Sequence, residues 1–92
     1  MKQYKYTATT VWGRQVEFIS SNWPESDKIF NVLMDNDIIK ETSKPKEQYS
    51  VVRNSGPLPQ SMYVYEKFMI SDEGTTQSNG RLICTIAPNG EV

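Results

Sequence analysis

A chain of 92 residues has room for one domain, spanning 1–92, and buries roughly 60–65% of its unfolded surface, which leaves little for a deep, dry active-site pocket and argues against an enzyme with a lid. With 37% apolar and 23% charged residues, wholesale disorder is excluded as well. Ten basic against eleven acidic side chains, a net charge of −1, argue against a protein that follows a phosphate backbone by charge.

Residues 4–11, rich in Tyr, Thr and Val and alternating in character, predict a strand. Gly13-Arg14 supplies a turn, and residues 15–19 complete a hairpin in which Val16 and Phe18 share one face and Gln15, Glu17 and Ile19 the other. A polar stretch with Pro24, Glu25 and Asp27 then opens a helix over residues 24–35. Ile29, Phe30, Leu33 and Met34 line one side of it, with Val32 at the margin and Asp27, Asn31 and Asp35 opposite. Trp23, just ahead of Pro24, is placed to staple the helix entrance. Asp35-Asn36-Asp37 ends the helix, and Ile38-Ile39 reads equally as a last turn or a short strand.

Residues 42–46 form a polar connection, 48–53 a third strand, and Ser55-Gly56-Pro57-Leu58-Pro59 a stiff loop. Residues 61–70 carry the longest strand signal, 72–80 a polar loop, and 81–87 the last strand, before Pro88-Asn89-Gly90. The expected class is α+β: one helix packed on a mainly antiparallel four- to five-stranded sheet, in the order β-β-α-β-β-β. A single helix of about three turns covers part of one sheet face, so the other face must be polar or be covered by a partner.

The chain has no histidine. This removes Ser-His-Asp and Cys-His nucleophilic catalysis and the usual zinc and non-haem iron ligand sets. The five glycines are isolated, and none forms a phosphate loop. Cys84, the single cysteine, allows no internal disulfide and reads as a small buried hydrophobe in Leu82-Ile83-Cys84-Thr85-Ile86. Asp35-Asn36-Asp37 resembles the opening of a calcium loop, but Lys40 stands where Gly is needed and Lys46 where Glu is needed. Asp72-Glu73 lies among Thr75, Thr76 and Ser78, where turn chemistry accounts for it as well as a cation would. Glu66 falls on an apolar strand face, and either a catalytic carboxylate or an edge residue paired with Lys5 or Arg14 accounts for it. No cofactor and no metal is expected, and a non-enzymatic protein is the favoured class.

The long strand divides cleanly. Met62, Val64, Phe68 and Ile70 form one face, and Tyr63, Tyr65, Lys67 and Met69 the other. On the first strand, Lys2, Tyr4, Tyr6 and Ala8 share a parity. If the parities coincide, Tyr4, Tyr6, Tyr63, Tyr65, Lys2 and Lys67 form one amphipathic platform. Three readings compete: Tyr4 and Tyr6 line the core with hydroxyls at its rim; the platform binds a protein or a second copy of the chain; or it stacks the bases of single-stranded nucleic acid. Charge is uneven, with only Lys2, Lys5 and Arg14 charged over residues 1–16 and six acids against Lys28 and Lys40 over 17–41. Trp12, beside the Gly13 turn, is a further anchor for a partner.

No apolar run approaches the length of about 20 residues that spans a membrane, and residues 1–6 lack the apolar region of a signal peptide. A cytoplasmic, reducing location is therefore expected. The function expected is that of a small intracellular inhibitor or adaptor that binds a protein, of the kind common on phages and mobile elements. A nucleic-acid-binding regulator is the alternative, and a carboxylate-dependent enzyme a third reading.

Overall fold

The alternating Tyr/Thr segment folds as β1 (Tyr4–Thr10), which pairs antiparallel with β2 (Gln15–Ser20) through Tyr6↔Phe18 and Ala8↔Val16. The computed structural model describes residues 2–69 and 77–92. Expectations placed on Ile70, Asp72 and Glu73, and on the side chains of Phe68 and Met69, lie outside the described residues. Helix α1 (Ser26–Asp35) follows, then α2 (Pro45–Gln48), β3 (Tyr49–Arg53), β4 (Met62–Met69) and β5 (Gln77–Glu91). The strands form one antiparallel sheet in the order β2-β1-β5-β4-β3, an α+β architecture. The two halves of the chain thus meet at β5, which lies between β1 and β4.

Helix α1 begins two residues later than its sequence pattern predicts. Pro24 and Glu25 precede it, and Glu25 is extended (φ −68°, ψ 152°) and makes no side-chain cap bond. Its far end closes with a left-handed residue, Asp37 (φ 58°). Asp37 N–H donates to the Met34 carbonyl at 3.1 Å and Ile38 N–H to the Leu33 carbonyl at 2.9 Å, the paired bonds of a Schellman motif. That reversal settles Ile38-Ile39. Neither helix nor strand, both residues fold back into the core, where Ile38 meets the demand for an apolar residue after the cap.

Ile29, Phe30 and Leu33 carry the buried face of α1 onto Tyr6, Ala8, Phe18, Met62, Val64, Cys84 and Ile86 of the sheet. Each large apolar side chain so buried contributes about 1.5–3 kcal/mol. Tyr6 and Phe18 stack across the β1–β2 pair with ring centroids 5.2 Å apart.

Three features depart from the sequence reading. Pro45, assigned to a polar connection, starts the one-turn helix α2, with the ring at a position where no N–H is needed and Glu47 in the first turn. Strand β5 runs from Gln77 to Glu91, into the segment expected to be loop and past the expected end at Ala87. Pro88 is tolerated because the pairing with β4 ends at Met62↔Ile86, so only β1 lies beside β5 from there on. Gly90, at φ 104°, takes up the register shift between Tyr6↔Pro88 and Tyr4↔Glu91. The third feature is a bulge: Val64 pairs with Cys84 but Tyr65 with Leu82, which leaves Ile83 as an extra residue. Strict alternation would send Ile83 to the face opposite Cys84; with the bulge, both join the core.

Candidate interaction surface

Helix α1 lies on the face of the sheet that holds Tyr6, Val64 and Ile86. Among the described residues no helix packs on the other face. Register assigns its members row by row: Gln15, Thr9, Thr85, Tyr63 and Val52 stand side by side across all five strands. Leu82, Tyr65 and Ser50 make the neighbouring row on β5, β4 and β3. Toward the other end lie Glu17, Thr7 and Ala87, then Ile19 and Lys5. Thr7, Thr9, Tyr63, Tyr65 and Thr85 are half-buried and Val52, Ala87 and Ile19 exposed, as expected of a sheet face without a covering layer.

The charge on this face lies at its border. Lys5 and Glu17 stand at the β1–β2 side, and Lys67 at the far end of β4, where its Nζ donates to the Lys46 carbonyl at 2.5 Å. The centre holds Thr, Tyr, Val and Ala.

The platform of four tyrosines does not form. Tyr6 lies on the helix-covered face, fully buried, with Oη donating to the Ser21 carbonyl at 2.7 Å. Tyr4 shares that face at its rim and packs against the core. Burial pushes the Tyr6 hydroxyl above its ordinary pKa, Tyr4 adds to this and Arg53 opposes it. The reading of Tyr4 and Tyr6 as core-lining residues is therefore the one that fits, and Tyr63, Tyr65 and Lys67 stand on the opposite face without them. Lys2 is outside the platform too, 3.7 Å from Glu91 in an exposed pair.

Trp12 is 57% exposed at the β1–β2 turn, beside Val11 at 58%. Val11 continues the open-face parity of Thr7 and Thr9, and its N–H donates to the Ile83 carbonyl at 3.0 Å. The aromatic prong therefore adjoins the open face at the end where Leu82 and Tyr65 lie. Trp23 takes a different place: its ring stacks under Arg53, 4.1 Å from the guanidinium carbon.

Glu66 stands at the edge of the helix-covered face opposite Tyr49. Its partner is Arg81, 3.5 Å away on β5, rather than Lys5 or Arg14; Arg81 is exposed and Glu66 half-buried. Arg14 instead donates Nη1 to the Asn36 carbonyl at the end of α1. Burial pushes the Cys84 thiol up to about 12, so it has no thiolate character at neutral pH.

Val52, Thr7, Thr9, Thr85 and Leu82 belong to the surface but were not singled out from the sequence. Their alternation was visible; what placed them beside Tyr63 and Tyr65 was cross-strand register, which no single segment carries. Comparison with protein-family models, with curated proteins and with solved structures finds no match for the chain. No helix among the described residues is long and apolar enough to cross a membrane.

Proposed function

We propose that this chain is a small non-enzymatic protein that binds another protein through its open sheet face, as an inhibitor or adaptor in a reducing, cytoplasmic setting. The observation that carries the reading is the uncovered face itself. A five-stranded sheet with α1 on one side exposes a neutral, tyrosine-centred surface on the other, and the charges assigned to it by register lie at its border. Tyr63 and Tyr65 offer large, rigid contact area at small entropic cost, and their hydroxyls keep the free face wetted. Nucleic acid is the poorer occupant, because among the described residues Lys5 and Lys67 are the only cations set into this face by register and a phosphate backbone demands more.

The test is a double Tyr63→Ala/Tyr65→Ala variant of the tagged chain, used beside the parent to capture partners from host lysate treated with nuclease. One stoichiometric protein retained by the parent and lost by the variant, with an unchanged circular dichroism spectrum and a variant that stays folded under the capture conditions, is the expected result. Equal retention by both proteins removes the open face from the function. Nuclease-sensitive capture points to the nucleic-acid alternative.

A further inference from the structure

Two features at one end of the molecule run against the local physics of a free-standing monomer. The first is the β1–β2 turn. Thr10 N–H donates to the Arg14 carbonyl at 2.8 Å, Gly13 N–H to the Thr10 carbonyl at 3.0 Å, and Arg14 N–H to Thr10 Oγ1 at 2.9 Å. Thr10 is buried, and Val11 is bonded to β5. The turn is thus closed by three hydrogen bonds, yet it presents Val11 and Trp12 outward to water. Turn chemistry requires Gly13, at φ 93°, but asks for no large apolar side chain ahead of it.

The second feature is the C-terminal end of α1. Asp35 closes the last turn, which holds no basic residue. Asp37 occupies the left-handed position where Gly or Asn is the ordinary choice. Both carboxylates therefore sit at the negative pole of the helix, where a cation is favoured and an acid is not. Among the described residues neither is in an ion pair. The Arg14–Asn36 bond ties the turn to this helix end, so Trp12 and the two carboxylates lie at one end of the molecule. Lys40 follows Asp37 in sequence, and Arg14, brought to the helix end by the fold, is engaged with its carbonyl.

We infer that Trp12 is the anchor of the docking surface, and that the partner is a protein offering an apolar pocket for the indole, bordered by Lys or Arg side chains that meet Asp35 and Asp37. This rests on the open face being a protein-binding surface, to which Val11 joins the turn. A rigid turn presents its tryptophan with little ordering cost on binding, and buried tryptophans dominate interface energetics. Placing acids where the helix disfavours them sacrifices stability for complementarity, a conflict of levels that belongs to functional sites. The same carboxylates repel a nucleic-acid backbone, which favours a basic protein surface as the occupant.

The experiment places the photoreactive amino acid p-benzoylphenylalanine at position 12, 65 or 25 of the full chain in host cells, Glu25 being an exposed residue at the opposite end of α1 from Asp35. Crosslinking of positions 12 and 65 to one protein, and not of 25, is expected. The peptide joined at position 12 should carry Lys or Arg beside apolar residues. With that protein purified, Trp12→Ala should weaken binding by about tenfold or more, and Trp12→Phe by less. Asp35→Asn/Asp37→Asn should slow association at low salt and not at high salt. Crosslinking from position 65 but not 12, or a Trp12→Ala loss within about threefold, overturns the anchor and leaves the open face standing. No crosslink from either position overturns both readings. Adducts at position 12 with nucleic acid or with a second copy of the chain overturn the assignment of the partner.

Discussion

The guanidinium carbon of Arg53 lies 4.1 Å from the centroid of the Trp23 ring, and the two residues come from opposite sides of the sheet's connectivity. Arg53 ends edge strand β3, whereas Trp23 lies in the loop that leaves edge strand β2 for α1. Nη2 of the same arginine donates to the Pro24 carbonyl at 2.5 Å, and Nη1 meets Met62 Sδ at 3.2 Å. One side chain on edge strand β3 thus fastens the loop that leads from β2 to α1. Burial lowers the pKa of Arg53, while Glu25 and Tyr6 act to raise it. The cation has given up part of its water for a ring face and a carbonyl.

Arg53→Lys should therefore cost about 1 kcal/mol, because an ammonium keeps the charge but loses the planar stack and the fork of donors. Arg53→Ala should cost about 2 kcal/mol or more, since it also leaves Pro24 O without its donor and removes the packed stem. Urea denaturation reads both values from the midpoint. An unchanged midpoint in Arg53→Ala would mean that the clasp contributes nothing to the crossover.

The tyrosines should separate by face. Tyr6→Phe removes only the hydroxyl that bonds Ser21 and should cost about 1 kcal/mol, whereas Tyr6→Ala empties a fully buried site and should cost about 3–5 kcal/mol. Tyr63→Ala and Tyr65→Ala touch a half-buried face and should each cost about 1 kcal/mol or less. Equal losses at positions 6 and 63 in thermal or urea unfolding would contradict the assignment of faces.

That separation also marks where reading the sequence stops. The β1–β2 hairpin and helix α1 were legible because their signals are local: alternation of Tyr and Thr about Gly13-Arg14, and Ile29, Phe30 and Leu33 on one helical stripe. Parity within each strand was legible too, so Tyr63 and Tyr65 were correctly set together, as were Tyr4 and Tyr6. Whether the two pairs share a face depends on β5, which lies between their strands and pairs Ala8 with Ile86 on one side and Val64 with Cys84 on the other. That is a non-local relation, and the bulge at Ile83 shifts it further. Pro88 and Asn89-Gly90 are breakers in isolation, so the extension of β5 to Glu91 became visible only with β1 alongside. Arg81 was missed as the partner of Glu66 for the same reason, because the pair exists only once β4 and β5 are in register.

Cys84 links burial to alkaline stability. Its thiol titrates near 9.0 when free, and in the fold burial pushes it up to about 12. Above pH 9 the unfolded chain therefore sheds a proton that the native protein retains. Stability is complete below that pH and falls as pH rises toward 12, by about 1.4 kcal/mol per pH unit from this group. Tyr6, also raised by burial, adds to the fall above pH 10. Cys84→Ala should lower stability at pH 7 by about 1–2 kcal/mol through the small cavity it leaves. The same change should flatten the decline between pH 9 and 10 and leave in place the part due to Tyr6 above pH 10. Urea midpoints at pH 7, 9 and 10 measure this, and parallel declines in parent and variant would show that Cys84 ionises in the fold as it does in water.

Asp37 offers a test in which stability and function should move in opposite directions. At φ 58° a side chain with a Cβ is strained, and a carboxylate there also faces the negative pole of α1. Asp37→Gly relieves both and should stabilise the protein by about 1 kcal/mol; Asp37→Asn removes only the charge and should stabilise it by about 0.3–1 kcal/mol. Ordinary deleterious substitutions weaken binding by weakening the fold. Here the variants should unfold at higher urea concentration and yet associate more slowly with a basic partner at low salt, with the two proteins converging as salt screens the carboxylate. Asp37→Asn separates the causes, because it keeps a Cβ at the left-handed position and loses only the charge. Faster association in the stabilised variants would mean that Asp37 serves the helix end alone, and the acidic border would then have to be assigned to Asp35.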